Sequence, residues 1–168
     1  MVSIYLSSDP VLFGIVTFSF FLLGLCLGSF SSAVGYRACH GESWIFGDKK
    51  TEAARSKCPQ CGHQLGFFDL IPLLSWIFLG GTCRYCKAKV GVLYPFLELV
   101  SGCVMGGYFF FLSGEAHPLV NSFLFAVFLP FVVASVVAVV KCRGRYPVSL
   151  GIMGLLSAAG MVGLSAVF

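Results

Sequence analysis

Cys58 and Cys61 form one Cys-x-x-Cys pair, and Cys83 and Cys86 form a second, separated by residues 62–82. Two residues between cysteines let both sulfurs of a pair face one ion. Two such pairs complete the tetrahedral four-sulfur set that structural zinc prefers. Gly62 and Gly66 follow the first pair and Gly80 and Gly81 precede the second, giving the backbone room to turn. Four thiolates around one Zn²⁺ leave a net charge of about −2. Lys57, Arg84, Lys87 and Lys89 stand beside the set and would favour its thiolate forms. The expected metal ligands are therefore Cys58, Cys61, Cys83 and Cys86, holding a structural zinc. Two disulfides or a redox-active pair is the competing reading. His40 and His63 could each replace a ligand, but a full cysteine set leaves them as solvated or hydrogen-bonded side chains.

Between the pairs lies LIPLLSWIFL (70–79), too short to span a bilayer and too apolar for open solvent. It reads equally as a core element of the metal module or as an interfacial segment. In the second case the Trp76 indole N–H would reach head-groups or water.

The elements that must position this site are membrane spans. Of 168 residues, 58% are hydrophobic and only 11% charged, where a soluble domain carries about a quarter charged. The expected fold is all-α and membrane-integral, with about four transmembrane helices at 11–36, 90–112, 118–140 and 148–168. Pro130 is an expected kink in the third. A small cytoplasmic zinc-ribbon-like module is expected between the first and second. The domains are thus a first transmembrane segment (1–36), a loop carrying the four-Cys module (37–89, module 58–86), and three further spans (90–168). The first segment lacks a basic leader region and its positive charge follows it, so it reads as a retained span, not a signal peptide.

Every Lys and Arg lies in one of two loops, 37–89 or 141–145. Under the positive-inside rule both loops are cytoplasmic and both termini lie outside. A reducing compartment disfavours disulfides in the four-Cys loop. The positive charge already has this topological explanation, so nucleic acid is not an expected partner; the lipid bilayer is. Residues 38–57 read as a flexible lead-in, without repeats or low complexity. Gly24 with Gly28, and Gly102 with Gly106, form GxxxG pairs expected to serve close helix contact. Cys26 and Cys103 read as packing residues within spans, while Cys39 and Cys142 lie near the cytoplasmic surface.

GSFSSAVGYR (28–37) and CPQCGHQLGFFDLIPLLSWIFLGGTCRYCKAKVGVLYPFLEL (58–99) resemble the N-terminal part of the prepilin leader peptidases. Cys-Pro-x-Cys, Ile-Pro-x-Leu-Ser, Gly-x-Cys-Arg-x-Cys and Tyr-Pro-x-x-Glu occur in that family's order and spacing, over roughly residues 24–100. The resemblance implies a polytopic enzyme of the bacterial inner membrane, serving type IV pilus and type II secretion systems. Such enzymes are aspartic endopeptidases that cut the basic leader from prepilins. Many then N-methylate the new terminus with S-adenosylmethionine. The four cysteines map onto the family's own, and Arg37 matches the arginine after its first span. Ser32 stands where the family has Asn, and Cys39 where it has Pro.

The family's catalytic aspartates are not matched. Anchoring on Pro147 places Val140 and Cys142 where relatives carry Asp, and no Gly-x-Gly-Asp occurs in the sequence. This acid-base mechanism needs two carboxyl groups sharing a water. The acidic residues here are Asp9, Glu42, Asp48, Glu52, Asp69, Glu98 and Glu115, and no intramembrane pair is expected among them. Asp69 and Glu98, with Arg37, are read as positioning the module on the bundle, with an acid-base pair of Asp69 and Glu98 as the minor alternative. No Gly-rich nucleotide loop is visible, so only the resemblance speaks for S-adenosylmethionine. No catalytic residue is assigned. The expected role is a divergent or truncated, non-proteolytic family member acting as scaffold or accessory, with prepilins or other pilus and secretion components as partners. The alternative is half of a split peptidase and N-methyltransferase whose aspartates come from another chain.

Overall fold

The computed structural model describes residues 9–39, 56–112, 118–142, 152–157 and 159–160. Three long helices carry it: α1 (Pro10–Cys39), α3 (Leu93–Leu112) and α4 (Pro118–Lys141), with the short α2 (Leu74–Phe78) between the first two. All three long helices are apolar and long enough to cross a membrane. The first starts where local chemistry allows it. Asp9 Oδ1 accepts the Val11 and Leu12 amides at 2.9 and 3.3 Å, and Pro10, with no N–H to satisfy, opens the helix. The third runs on through Pro130. Residues 152–157 and 159–160 are helical, and the rest of the expected fourth span lies outside the described residues, as do 40–55 of the expected lead-in.

Helix α1 packs against both α3 and α4. The paired glycines make its contact with α3 close. A Cβ added at Gly24 would lie 2.8 Å from the Gly102 Cα, and one at Gly102 would lie 2.8 Å from Leu25 Cδ2. Without side chains between them, the two backbones approach directly, which is how helices associate where no hydrophobic drive separates protein from lipid. Further along α1, Gly35 lies close against the Ala134 carbonyl and the Val137 side chain of α4. The core is filled by Phe20, Leu97, Met105, Phe109, Leu129 and Val137. Two buried serines answer their own polarity locally: Ser31 Oγ donates to the Leu27 carbonyl, and Ser101 Oγ to that of Leu97 at 2.7 Å. Outward-facing Ile15, Phe18, Val127 and Val139 are exposed, as a lipid-facing surface requires.

A disulfide between Cys39 and Cys142 joins the ends of α1 and α4, with 5.1 Å between the Cα atoms. The sequence placed both cysteines near one surface without pairing them.

Candidate metal centre and its joint to the bundle

Residues 56–92 form a module with almost no regular structure, because its folding unit is the cysteine knuckle. The two knuckles share one hydrogen-bond register, each residue matching a counterpart 25 positions on. The Cys58 amide donates to the His63 carbonyl at 2.9 Å, and the Cys83 amide to that of Ala88 at 2.8 Å. The Gly62 amide returns to the Cys58 carbonyl at 2.9 Å, and the Lys87 amide to that of Cys83 at 3.0 Å. Isolated bridges close each turn, Lys57 with Gln64 and Thr82 with Lys89; no longer strand occurs among the described residues. Both returns need positive φ, 67° at Gly62 and 58° at Lys87. Glycine adopts this freely in the first knuckle, and lysine bears the strain in the second.

This repetition brings the Sγ atoms of Cys58, Cys61, Cys83 and Cys86 within 4.8 Å of one another. Cys58 and Cys86 are 3.8 Å apart. Zinc–sulfur bonds of about 2.3 Å in a tetrahedron require sulfurs about 3.8 Å apart, so the cluster could hold such an ion. Cys58 and Cys83 are buried, and Cys61 and Cys86 face outward. Amides of Cys61 and Gln60 point at the Cys58 sulfur and bring its pKa down to about 7. The Ala88 amide does the same for Cys86, but desolvation and the neighbouring sulfurs prevail and push it up to about 11. A divalent cation would relieve that crowding of negative charge, since it binds the thiolate form. The His63 ring packs tilted against Tyr85 of the other knuckle, centroids 3.6 Å apart, and takes no part in the sulfur cluster. His40 lies outside the described residues.

The apolar run between the knuckles forms a 3-10 turn (Phe67–Asp69) and then α2. Two carboxylates fix it. Asp69 accepts the Gly66 amide at 3.1 Å and Arg84 Nε at 2.7 Å, tying the run to the second knuckle. Arg84 holds the Asp69 carboxyl below its ordinary range. Glu98 of α3 is buried and accepts the Leu73 amide at 2.8 Å, tying the run to the bundle. At that point the backbone is in a rare conformation. Leu73 has φ 59° and ψ −50°, and the Leu74 amide donates to the Pro72 carbonyl at 2.6 Å: a γ-turn of the strained hand. Such a conformation persists only where its surroundings over-determine it. The Glu98 carboxylate is one such constraint.

The indole N–H of Trp76 donates to the Val90 carbonyl at 3.2 Å, not to lipid or water as the interfacial reading expected. Its ring lies against Gly81 (φ 68°), where a Cβ would come within 2.9 Å of it. Arg37 sits with Ser32, Tyr94, Asp69, Glu98 and Lys141 around a cleft of about 660 Å³ between module and helix ends. The structure thus brings the four cysteines together and sets Asp69, Glu98 and Arg37 around one cleft. The Leu73–Glu98 contact escaped sequence reasoning. Its signal was the co-occurrence of Ile-Pro-x-Leu-Ser and Tyr-Pro-x-x-Glu, which meet at this hydrogen bond.

Residues 22–112 match the family model of the bacterial peptidase A24 N-terminal domain. A prepilin leader peptidase/N-methyltransferase of Myxococcus xanthus is 42% identical over 97 residues, covering 57% of this chain and 27% of that protein. One from Pseudomonas aeruginosa is 34% identical over 118 residues (61% and 40%), and one from Bacillus subtilis 38% over 102 residues (60% and 38%). The chain therefore spans less than half the length of these relatives. No solved structure matches. The matched region runs from α1 through both knuckles and the Leu73–Glu98 joint to the end of α3, and the chain belongs to the prepilin leader peptidase family through its N-terminal domain.

Proposed function

We propose that this chain serves prepilin leader processing in the bacterial inner membrane as a zinc-organised module docked on a helix bundle, supplying no acid pair of its own. The observation that carries this reading is the occupation of the two carboxylates that line the cleft. Asp69 is ion-paired with Arg84 and held below its usual range, and Glu98 receives the Leu73 amide. An aspartic mechanism needs one of two neighbouring carboxyls protonated near neutral pH, the reverse of what Arg84 imposes on Asp69. Cys142, standing where the resemblance expects Asp, is bonded to Cys39. In this reading Asp69, Glu98 and Arg37 position the module, and Cys58, Cys61, Cys83 and Cys86 bind a structural zinc. The ion holds the knuckles together; a closed four-sulfur site leaves no position for substrate.

Charge placement supports a cytoplasmic module. On that side the Cys39–Cys142 bond faces a reducing medium, so the redox state of its surroundings can open it. A second reading, half of a split peptidase and N-methyltransferase, rests on the intact family joint. There the aspartates come from another chain.

Coexpression with a prepilin, with and without the downstream reading frame, separates the two. Scaffold function predicts no leader removal by this chain alone; cleavage by the purified chain would overturn the proposal. Leader removal only with the second frame favours the split enzyme. Metal analysis should find one zinc per chain and lose it in Cys83→Ser.

A further inference from the structure

The module presents an apolar face that none of the other described residues covers. Phe67 and Phe78 are 78% and 82% exposed, and Phe68, Leu70, Leu74 and Ile77 are exposed beside them in sequence. Leu74, Ile77 and Phe78 recur at the spacing of one helix face, so α2 turns a single greasy side outward. Asp69 and Glu98, which fix this segment, do so by polar contacts at its start and leave the face free.

What lies opposite follows from where the segment is anchored. The Leu73 amide binds Glu98, five residues into α3 and thus roughly 8 Å along it at about 1.5 Å per residue. The candidate span of α3 begins at Leu93. The start of α2 is therefore held level with residues inside the span, beside a helix whose Phe96, Leu99 and Val100 are themselves exposed and apolar. Trp76 reinforces the placement by bonding Val90, just before that span. The module also carries exposed Lys57, Arg84, Lys87 and Lys89, charges that suit an anionic head-group layer.

We propose that Phe67–Phe78 is a membrane-dipping element, its apolar face seated among the upper acyl chains of the bilayer its own spans cross. The inference rests on α1, α3 and α4 spanning that membrane. An amphipathic segment of this kind enters the head-group boundary by about 5–10 Å. The metal module is thereby held on the bilayer by two attachments of different kinds, one carboxylate joint and one lipid-facing surface.

The test adds one tryptophan at a time to the full chain, with Trp44→Phe as background, reconstituted in nanodiscs of phosphatidylcholine and phosphatidylglycerol. Trp76 emission is common to all variants and is subtracted. Phe78→Trp and, independently, Phe67→Trp should lose emission when the phosphatidylcholine is brominated near the top of its chains. Both should be about threefold less sensitive to aqueous acrylamide than Tyr85→Trp on the second knuckle, as a seated apolar face requires. Acrylamide quenching equal to that of Tyr85→Trp at both positions would overturn the proposal. So would shielding from both quenchers, which would assign the face to a protein partner, a second copy included. Val127→Trp, on the exposed side of α4, separates the premises. If it is quenched by brominated lipid and the module positions are not, only the dipping element falls. If it is not quenched either, the spanning assignment falls with it.

Discussion

A single carboxylate oxygen decides how the module meets the bundle. Glu98 accepts an amide whose own residue sits in a strained γ-turn, so removing the acceptor should release the turn as well as the bond. A hydrogen bond to a charged group contributes about 1.5–3 kcal/mol. Glu98→Ala should therefore speed amide exchange across Leu70–Leu79 by one to two orders of magnitude (about 1.4 kcal/mol per factor of ten). Glu98→Gln keeps an acceptor oxygen and should fall between; equal exchange in all three proteins would show that the joint does not hold the segment. The knuckle returns offer a sharper comparison. Gly62→Ala should destabilise the module by about 1 kcal/mol, because alanine resists φ 67°, whereas Lys87→Gly removes the same resistance and should not destabilise. Acid should act on Asp69 late. Its folded pKa is depressed below the ordinary 3.8, so the Arg84 pair stabilises fully above that value and is lost as pH falls through the lower folded one. Arg84→Gln should erase that part of the acid-unfolding profile.

Among elements, the contact between α1 and α3 is the one most readily broken. Gly24 faces the Gly102 backbone, which cannot rotate aside as a side chain would. Gly24→Ala should force the helices apart at a cost of about 1–3 kcal/mol, read as a lower unfolding midpoint in detergent. Gly14, with open space around it, is the control; its alanine variant should match the parent. The three spans were readable from the sequence because apolar length alone specifies them. The GxxxG pairs were readable as contact surfaces, though not as partners of each other, since spacing within one helix says nothing about which helix it meets. The short α2 was ambiguous for a similar reason. Ten apolar residues fit a core or an interface equally, and apolar length says nothing of what the run is anchored to, here Glu98 and Val90.

At the scale of the molecule, the clustering of the four cysteines was legible because the two pairs carry their own spacing, and the 25-residue repetition of each hydrogen bond explains why that spacing works. The joint was legible from one side only: Glu98 was read as positioning the module, but nothing in the Leu73 side chain marks its amide as the partner. Stripping the metal should therefore act on one part of the protein. Chelation should loosen residues 56–91 to exchange while the helical signal of the spans persists, since α1, α3 and α4 pack without the module. Loss of the helical signal on chelation would show that bundle and module fold as one.

The Cys39–Cys142 bond gives the chain a closed circuit running up through both knuckles and the long helices α3 and α4 and back to its start, across a sequence separation of 103. Inside a circuit, a single cut separates nothing. A protease nick in residues 40–55 should leave one band on a denaturing gel and yield two only after a reductant is added. The same nick in cells therefore reads out whether the circuit is shut, turning an ordinary digest into a gauge of the redox state around the protein.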